Sequence, residues 1–373
     1  MSFVVVGAGV IGLSIAFELA LRGHRVSILE SGVVGKKASW AGAGILIPAN
    51  AETAIHPMEH LEALSHDVHR DWSKRLKELT GIDNRFSLCG GIYLARTLGE
   101  QATLAGSCLE WRAREIPFEE FTDSDFLARM KPGQEFRKIL WLPGESQIES
   151  PSHLQALAAA NQKLGVNISA GLDGLRFVRK AGRVHCMNSA SDDTDVTYIF
   201  AAGAWTSQIL KDLEVYLPLQ PVRGQMVLYR IPLETLSPLP GGPVINEGTR
   251  YLVPRLDGHV LAGSTIEEVG FVETTTDSGI ADIRQWAESL FSELNDSTYV
   301  KSWAGLRPGS YDGFPYLGRI TELENAFVAT GHFKGGLQLS TATAIVMSDL
   351  VEGKQPRIDL DPFSPNRVSK MDA

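Results

Sequence analysis

Cysteine, positive charge and long apolar runs are all scarce in this 373-residue sequence. The three cysteines, Cys89, Cys108 and Cys186, lie far apart and lack the spacing of metal ligands, so we expect neither a disulfide framework nor a metal site. Acidic residues outnumber basic ones by 44 to 35, and the net charge of −9 argues against a nucleic-acid partner. No apolar run approaches the roughly 18 residues that cross a bilayer. These absences favour a soluble, cytoplasmic protein that does not span a membrane.

The N-terminal segment predicts a strand that enters a glycine turn rather than a signal peptide, because no basic region precedes its apolar residues. The strand Phe3–Val6 is followed directly by Gly7-Ala8-Gly9-Val10-Ile11-Gly12, and a helix is predicted from there to about Arg22. In this GxGxxG pattern the first glycine permits a tight turn, the second lets the backbone approach a pyrophosphate, and the third lets the helix pack on the strand. The helix N-terminus then directs free N–H groups and the positive end of its dipole at the phosphates.

A second predicted strand, Arg25–Leu29, ends at Glu30. An acid at this distance from the glycines accepts hydrogen bonds from ribose hydroxyls in dinucleotide-binding folds. Strand, turn, helix, second strand and acid in this order predict a Rossmann-like nucleotide site. The motif alone does not distinguish FAD from NAD, although the absence of a second GxGxxG disfavours a reductase that binds both nucleotides.

The rest of the chain alternates between helical and extended patterns. Spaced apolar positions predict helices over residues 55–80, 152–164 and 341–350. Short apolar runs between turn residues predict strands at 182–187, 197–200, 225–229, 250–254 and 259–263. These runs are typical of an antiparallel sheet interleaved with segments that return to the nucleotide domain.

Several later segments are rich in small residues. They are Ala38–Gly44, Phe200–Trp205, Gly305–Pro308 with Asp312–Gly318, and Ala329–Ser340. Small residues let backbone N–H groups reach phosphate or ring oxygens without obstruction by side chains.

In their order and spacing, these segments and the N-terminal motif resemble the D-amino-acid oxidase superfamily of flavoenzymes. Within it they look most like glycine oxidase, including the form that supplies thiazole for thiamine biosynthesis. The resemblance implies an α/β fold with a doubly wound, Rossmann-like FAD-binding domain and a second, mixed and largely antiparallel α+β domain that covers the substrate. It implies a discontinuous FAD-binding domain at 1–85, 145–215 and 300–365, and a substrate domain at 86–144 and 216–299.

The resemblance also implies which residues bind FAD. Carried over by position, they are Gly7, Gly9, Val10, Ile11, Gly12, Glu30, Ser39, Ala41, Gly42, Gly44, Gly174, Gly203, Gly331, Gly335, Gly336, Leu337 and Gln338. Some relatives tether the flavin through a histidine after the tryptophan of the N-terminal loop, or through a cysteine near Arg307. Here Ala41 takes the first place and no cysteine takes the second, so we expect noncovalent FAD.

Three residues are assigned to the substrate by the same resemblance. Arg307 matches the arginine that grips the substrate carboxylate, since a guanidinium offers two parallel hydrogen bonds. Tyr251 matches a tyrosine whose hydroxyl approaches the same carboxylate, and Lys334 stands where glycine oxidase has a second arginine. The alternative for Arg307 is a structural pair with an acid such as Asp312. Arg223 also matches a family position and is interpreted as structural.

Two further positions depart from glycine oxidase: Thr249 replaces a histidine and Ile266 replaces a pocket methionine. The implied reaction is hydride transfer from a small amino acid or amine, such as glycine, sarcosine or a small D-amino acid, to flavin N5. The imine product then hydrolyses to an oxo acid and ammonia. O2 would reoxidise the flavin of an oxidase, whereas a quinone or a protein would serve a D-amino-acid or small-amine dehydrogenase. A flavin-binding subunit or redox sensor without turnover, an NAD-linked dehydrogenase and homo-oligomer formation remain open.

Overall fold

The computed structural model describes residues 2–187, 196–232 and 242–367. Within these ranges the helices are α1 (Val10–Leu21), α2 (Ala38–Ala41), α3 (Pro57–Thr80), α4 (Leu98–Ala113), α5 (Ser124–Leu127), α6 (Ser150–Lys163), α7 (Thr206–Lys211), α8 (Asp277–Leu290) and α9 (Ser340–Val351). The helices predicted over 55–80, 152–164 and 341–350 correspond to α3, α6 and α9. None of the helices in the described ranges is both long and apolar enough to cross a membrane.

The strands of the same ranges form four sheets. They are β1 (Ser2–Val6), β2 (Arg25–Leu29), β3 (Ile45–Leu46), β4 (Ser87–Leu88), β5 (Gly91–Ala95), β6 (Glu119–Glu120), β7 (Lys138–Leu142), β8 (Ser146–Gln147), β9 (Asn167–Ser169), β10 (Phe177–Lys180), β11 (Arg183–Cys186), β12 (Val196–Phe200), β13 (Leu219–Arg230), β14 (Val244–Glu247), β15 (Arg250–Pro254), β16 (His259–Gly263), β17 (Tyr299–Ser310), β18 (Tyr316–Arg319) and β19 (Ala326–Thr330). The bounds predicted for β15 and β16 are those observed.

Local sequence sets the ends of α3, the longest of these helices. Pro57 lies in the first turn, where the backbone N–H groups make no intrahelical hydrogen bond, so the N–H that proline lacks is not needed. The carboxylate of Glu59 accepts the N–H groups of Ile55 and His56 at 2.8 and 3.1 Å. Gly81 ends the helix with a φ of 77°, a left-handed conformation that glycine adopts without strain.

A six-stranded sheet in the order β18-β19-β12-β1-β2-β9 carries the N-terminal motif. Its strands are parallel except β18, which pairs antiparallel with β19. On one face α1, α3, α6 and α9 pack around buried side chains such as Leu13 and Phe17. The hairpin β10–β11 and α7 cover the other face, where their Phe177 and Leu210 cluster with buried sheet residues such as Phe200 and Val328. The predicted α/β class, with a Rossmann-like parallel sheet, is confirmed.

An eight-stranded sheet in the order β17-β13-β16-β15-β14-β5-β7-β6 forms the second layer. Only the pairing of β5 with β14 is parallel. One face is covered by α8, whose Ile283 and Trp286 pack with Val227 and Leu252 of the sheet. The other face meets α2 through β17.

One strand lies on the far side of a predicted boundary. β17 pairs with β13 from Ser310 back to Tyr299, so residues 300–310 belong to the eight-stranded sheet, whereas the boundary at 300 assigned them to the FAD-binding domain. The physical reason is the length of β13, whose twelve residues require a partner along their free edge. The domain division as a whole stays a prediction.

Candidate active site

Glycines allow the backbone to pack closely between β1 and α1. Gly7 has a φ of 106°, and a Cβ on it would lie 2.6 Å from the carbonyl oxygen of Ala201. A Cβ on Gly12 would lie 2.0 Å from the carbonyl oxygen of Gly7. Gly9 is less confined, because its Cβ would meet only the hydroxyl of Ser39, at 3.2 Å. The turn and the helix contact therefore depend on Gly7 and Gly12, while Gly9 leaves the backbone open to a ligand.

The first turn of α1 offers donors at this loop. Ser39 Oγ accepts the N–H of Val10 at 2.9 Å. The N–H groups of Ile11 and Gly12 have no partner among the hydrogen bonds within the described ranges. Because these groups lie at the positive end of the helix dipole, they suit an anion such as a pyrophosphate.

Glu30 lies directly after β2, beside the glycine turn. Its carboxylate accepts the N–H groups of Ala8 and Gly32, each at 2.8 Å. The chain that follows β9 passes the same place, since Leu172 N donates to Glu30 O at 3.1 Å. Gly174 lies two residues further on, in an exposed turn with a φ of 72°. Glu30 is thus at the centre of this edge of the sheet, and Gly174 is at its periphery.

The carboxyl ends of three neighbouring parallel strands meet at the glycine turn. Gly7 follows β1, Gly203 lies just after β12 with a φ of 55°, and Gly331 follows β19 with a φ of 83°. Thr330 Oγ1 donates to Gly203 O at 3.0 Å, which joins the last two loops. Ligands of parallel α/β sheets bind at such carboxyl ends.

The two segments predicted to flank the flavin are in contact. A Cβ on Gly42 would lie 2.9 Å from Leu337 Cδ1, so this glycine lets the loops approach. Ala41 faces the second sheet, because a Cβ on Gly305 would lie 2.6 Å from the Ala41 Cβ. Gly44 has a φ of 74°, and a Cβ there would lie 2.0 Å from Ile148 O.

The C-terminal loop is supported by α3. Gln338 O accepts hydrogen bonds from Ser65 Oγ at 2.5 Å and from His69 Nε2 at 2.7 Å. Burial lowers the pKa of His69 to about 4, so its imidazole is neutral and donates to this carbonyl. Gly335 and Gly336 form the turn before Leu337, with Gly335 N donating to His332 O at 2.9 Å. Sequence analysis missed Ser65 and His69, although their spacing of four residues places them on one helix face.

These features fit FAD. The turn after β1 leaves helix N–H groups for the pyrophosphate, Glu30 supplies a carboxylate beside them, and the Gly42 and Leu337 loops converge from separate parts of the chain. Within the described ranges no group of three His, Cys, Asp or Glu side chains is placed to hold a metal ion.

Arg307 lies half-buried on β17, and its guanidinium rests on a glycine. A Cβ on Gly224 would lie only 2.1 Å from Arg307 Nη2. Nη2 donates to Ser264 Oγ at 2.8 Å, and Nη1 donates to Thr265 O at 3.0 Å and to Arg223 O at 3.5 Å. A guanidinium has five N–H groups, so two donors remain for a further ligand.

The structure does not pair Arg307 with Asp312, the acid named in the structural alternative. Asp312 is paired with Arg367, through contacts of 2.8 and 2.9 Å. Glu267, the acid that follows Thr265 by two residues, is paired with Arg223, as expected for a structural Arg223. Within the described ranges Arg307 has no carboxylate partner.

Lys334 and Tyr251 complete the group of predicted substrate residues. Desolvation and then the positive charge of Arg307 lower the pKa of Lys334. Tyr251 is half-buried, and its hydroxyl donates only to Met226 Sδ, at 3.3 Å. A thioether is a weak acceptor, so the hydroxyl keeps most of its hydrogen-bonding capacity for a ligand.

The register of the second sheet places Tyr251 and Arg307 on one face. Tyr251 is opposite Gly263, Gly263 is opposite Met226, and Met226 is opposite Trp303. Residues that are opposite each other on neighbouring strands share a face, and so do residues two apart on one strand. Arg307 lies two such steps along β17 from Trp303, so it is on the same face as Tyr251. Trp303 Nε1 donates to Ala41 O at 3.3 Å, so this face is directed at the proposed flavin loop.

Arg255 was missed by sequence analysis. It is 6% exposed, and it donates to Ala43 O at 2.6 Å, Gln147 Oε1 at 2.6 Å and Ile148 O at 2.9 Å. No carboxylate contacts it within the described ranges, and burial lowers its pKa to about 10. Its partners are main-chain and amide oxygens far away in sequence, which no local pattern indicates.

Comparison with known proteins identifies the family of this chain. The family model described as "FAD dependent oxidoreductase" matches residues 2–350. The chain is 35% identical to a glycine oxidase of Pseudomonas aeruginosa, over 97% of this chain and 98% of that one. It is 31% identical to a bifunctional protein ThiO/ThiG of Synechocystis, over 97% of this chain and 53% of that protein.

A solved structure supports the same assignment. The crystal structure of glycine oxidase from Geobacillus kaustophilus superposes with a TM-score of 0.86 at 30% identity, and the match covers 98% of each chain. The chain therefore belongs to the FAD dependent oxidoreductase family, and it is an FAD-dependent enzyme that oxidises amino acids.

Proposed function

We propose that the enzyme oxidises a small, neutral amino acid, such as glycine, sarcosine or a short D-amino acid, to its imine. Arg307 would bind the substrate carboxylate, with Lys334 and Tyr251 beside it. The observation that supports this proposal is that no carboxylate in the described part of the chain pairs with Arg307 or Lys334. Arg307 lowers the pKa of Lys334, while the nearby acids Glu267 and Asp312 are committed to other arginines. A carboxylate supplied by the substrate would relieve this repulsion.

The surroundings of this cation pair favour a small and uncharged side chain. Ile266 follows Thr265 directly and is 44% exposed. Val269, Phe271 and Val272 continue an exposed apolar segment, which reaches the other layer where Phe271 packs against Trp205 at 5.8 Å. Apolar surface disfavours a charged side chain through desolvation. An apolar pocket discriminates between substrates that differ by one methylene by only about 1–3 kcal/mol of binding free energy in the transition state. Several small amines should therefore react, at graded rates.

When bound, FAD supplies the oxidant that accepts hydride from the substrate Cα. The protein contributes position and electrostatics. Two hydrogen bonds from Arg307 would fix both the place and the angle of the carboxylate, and hence the direction of the Cα–H bond. Two cations beside one carboxylate leave net positive charge, which lowers the pKa of the substrate amine and favours its neutral form. Gln338 and Ala43, held by His69 and Arg255, keep the surrounding loops in place.

The substrate class is tested by kcat/KM for glycine, sarcosine, D-alanine, D-aspartate and D-arginine. We expect the first three to be preferred, and a clear preference for either charged side chain would overturn the proposal. Arg307→Ala should lower kcat/KM by an amount that corresponds to a loss of about 3–5 kcal/mol of transition-state stabilisation, as when one partner of a buried charge pair is removed. The FAD content should not change. Near-normal turnover by this variant would mean that the carboxylate is bound elsewhere.

The electron acceptor is proposed to be O2, in line with the similarity to glycine oxidases. Hydrogen peroxide should then form in air in proportion to the substrate consumed. Turnover that needs a quinone or dye, with little peroxide, would instead identify a dehydrogenase.

The similarity to a ThiO/ThiG protein supports a role in thiamine biosynthesis rather than amino-acid catabolism. A deletion strain that grows without added thiamine would contradict that role.

A further inference from the structure

Two of the three groups that accept hydrogen bonds from the Arg307 guanidinium lie in one short segment. Ser264 Oγ and Thr265 O accept from Nη2 and Nη1 at 2.8 and 3.0 Å. Both residues come after the end of β16 at Gly263, where the regular ladder with β13 stops. The orientation of the guanidinium therefore depends on what fixes residues 264–267 against β13.

An ion pair between a buried arginine and a partly exposed carboxylate fixes this segment. Arg223 and Glu267 form a backbone bridge, with N–H to O distances of 2.8 and 3.0 Å in the two directions. Their side chains add a fork, from Arg223 Nε and Nη2 to the two carboxylate oxygens at 3.1 and 3.0 Å. Arg223 is 4% exposed, and it holds the pKa of Glu267 down at about 2, so the pair is charged at any working pH.

Gln225 and Thr265 extend the pair into a network. Glu267 Oε2 accepts from Thr265 Oγ1 at 2.7 Å and from Gln225 Nε2 at 2.8 Å, and Thr265 Oγ1 accepts from Gln225 N at 3.0 Å. Thr265 is thus held through its hydroxyl, which sets the direction of its carbonyl. The fully buried Gln225 also accepts the N–H of Thr276, at 2.7 Å, which ties down the far end of the segment.

The network lies on the side of the sheet away from the substrate. Val222 is opposite Arg307, so Val222 and Gly224 share its face. Arg223 and Gln225 alternate with them and point to the other face. The side chains of the ion pair therefore reach the substrate indirectly, through the carbonyls of Thr265 and Arg223 and the Ser264 hydroxyl, which accept from the Arg307 guanidinium.

We infer that Arg223 and Glu267 are a positioning pair for substrate binding, which aims the guanidinium of Arg307 by fixing residues 264–267 from the opposite face of the sheet. This inference rests on the proposed function, because it takes Arg307 as the carboxylate-binding residue. Loosening the pair should weaken carboxylate binding and leave the chemical step largely intact.

The test compares Glu267→Gln with a matched control, Glu247→Gln. Glu247, on β14 of the same sheet, also pairs with an arginine, since Arg96 Nη2 donates to it at 2.7 Å. It is more deeply buried than Glu267 and lies four strands away from β17. We expect Glu267→Gln to raise KM by about tenfold with kcat within about twofold, less than the ~100-fold cost of a full ångström of misplacement. The dissociation constant of acetate, read from the flavin absorbance of the holoenzyme, should rise by the same factor. FAD content should not change, and Glu247→Gln should leave KM and acetate binding as they are.

Two further variants keep the inference testable if Glu267→Gln does not fold. Thr265→Val removes the hydroxyl that links the carbonyl to the pair, and Arg223→Lys removes the fork but keeps the charge. Each should raise KM and the acetate dissociation constant. Because the pair acts as a unit, the combination of Arg223→Lys with Glu267→Gln should cost clearly less than the product of the two single effects.

Arg307→Ala separates failure of the inference from failure of the proposed function. If Arg307→Ala leaves acetate binding unchanged, the proposed carboxylate site itself is wrong. If Arg307→Ala weakens acetate binding but Glu267→Gln, Thr265→Val and Arg223→Lys only lower the thermal midpoint, the pair is merely structural and the inference is overturned.

Discussion

Gly224→Ala should lower the activity of the enzyme without lowering its stability. The new Cβ would lie 2.1 Å from Arg307 Nη2, 2.3 Å from Cζ and 2.4 Å from Nη1, whereas ordinary contact begins at 3.4 Å. The obstructing atoms belong to the end of a side chain, so the guanidinium moves and the backbone stays. It must retreat by roughly 1.3 Å, the difference between 3.4 and 2.1 Å, which breaks its bonds to Thr265 O and Ser264 Oγ.

The magnitude follows from this displacement. A misplacement of about 1 Å in a positioning group can cost roughly 100-fold in rate, or about 2.7 kcal/mol. We therefore expect kcat/KM to fall by about 100-fold, mostly through KM. Stability should be unchanged or slightly higher, because alanine restricts the unfolded chain by about 0.4–1 kcal/mol relative to glycine where the backbone conformation suits it.

The assay is steady-state kinetics on the preferred amino acid, together with FAD content and a thermal unfolding curve. Gly106→Ala is the matched control, since Gly106 lies exposed in α4 and a Cβ there would meet nothing within 4 Å. It should stabilise the protein by about 0.5–1 kcal/mol without any change in kinetics. A Gly224→Ala enzyme within threefold of wild-type kcat/KM would refute the placement of Arg307 on this glycine.

Three further predictions concern the cofactor and the pH dependence of stability. Arg255→Met should raise the dissociation constant of FAD at least tenfold, because the buried carbonyls of Ala43 and Ile148 lose their hydrogen-bond donor, which costs about 1–3 kcal/mol each. The control is Arg22→Met, which breaks ion pairs at the other end of α1. Equal FAD retention in the two variants would contradict the prediction. Acid or heat denaturation should release all the yellow colour into the supernatant, whereas flavin that stays with the precipitate would show a covalent bond. Burial raises the pKa of Glu145 from 4.5 to about 7, so the folded protein binds a proton that the unfolded chain has released, and the unfolding free energy should fall by roughly 3 kcal/mol as pH rises through that interval. Glu145→Gln should remove this slope in urea unfolding between pH 5 and pH 8, and identical slopes in the two proteins would count against it.

The features that could be predicted from the sequence are those with local physical causes. The glycine pattern from Gly7 to Gly12 depends on contacts within six residues and with the adjoining strand, so its spacing alone indicates the turn, the helix and a dinucleotide ligand, without distinguishing FAD from NAD. The ends of α3 follow from Pro57 and Gly81, and the bounds of β15 and β16 follow from short apolar runs between turn residues. Arg307, Tyr251 and Lys334 were identified through resemblance, because no local pattern distinguishes a substrate arginine from a structural one.

Only the tertiary structure decided how these parts meet. β17 pairs with β13, about 80 residues earlier, and this pairing puts Arg307 on a glycine platform and on the same face as Tyr251. Among the residues that the structure describes, no acid pairs with Arg307, because Asp312 pairs with the distant Arg367 and Glu267 pairs with the distant Arg223. Arg255 reaches Ala43 across 212 positions in the chain. Such contacts form between side chains whose separation in sequence carries no information about their separation in space. Periodicity and spacing therefore determined the elements of this protein, whereas packing alone determined which charged side chains pair with one another.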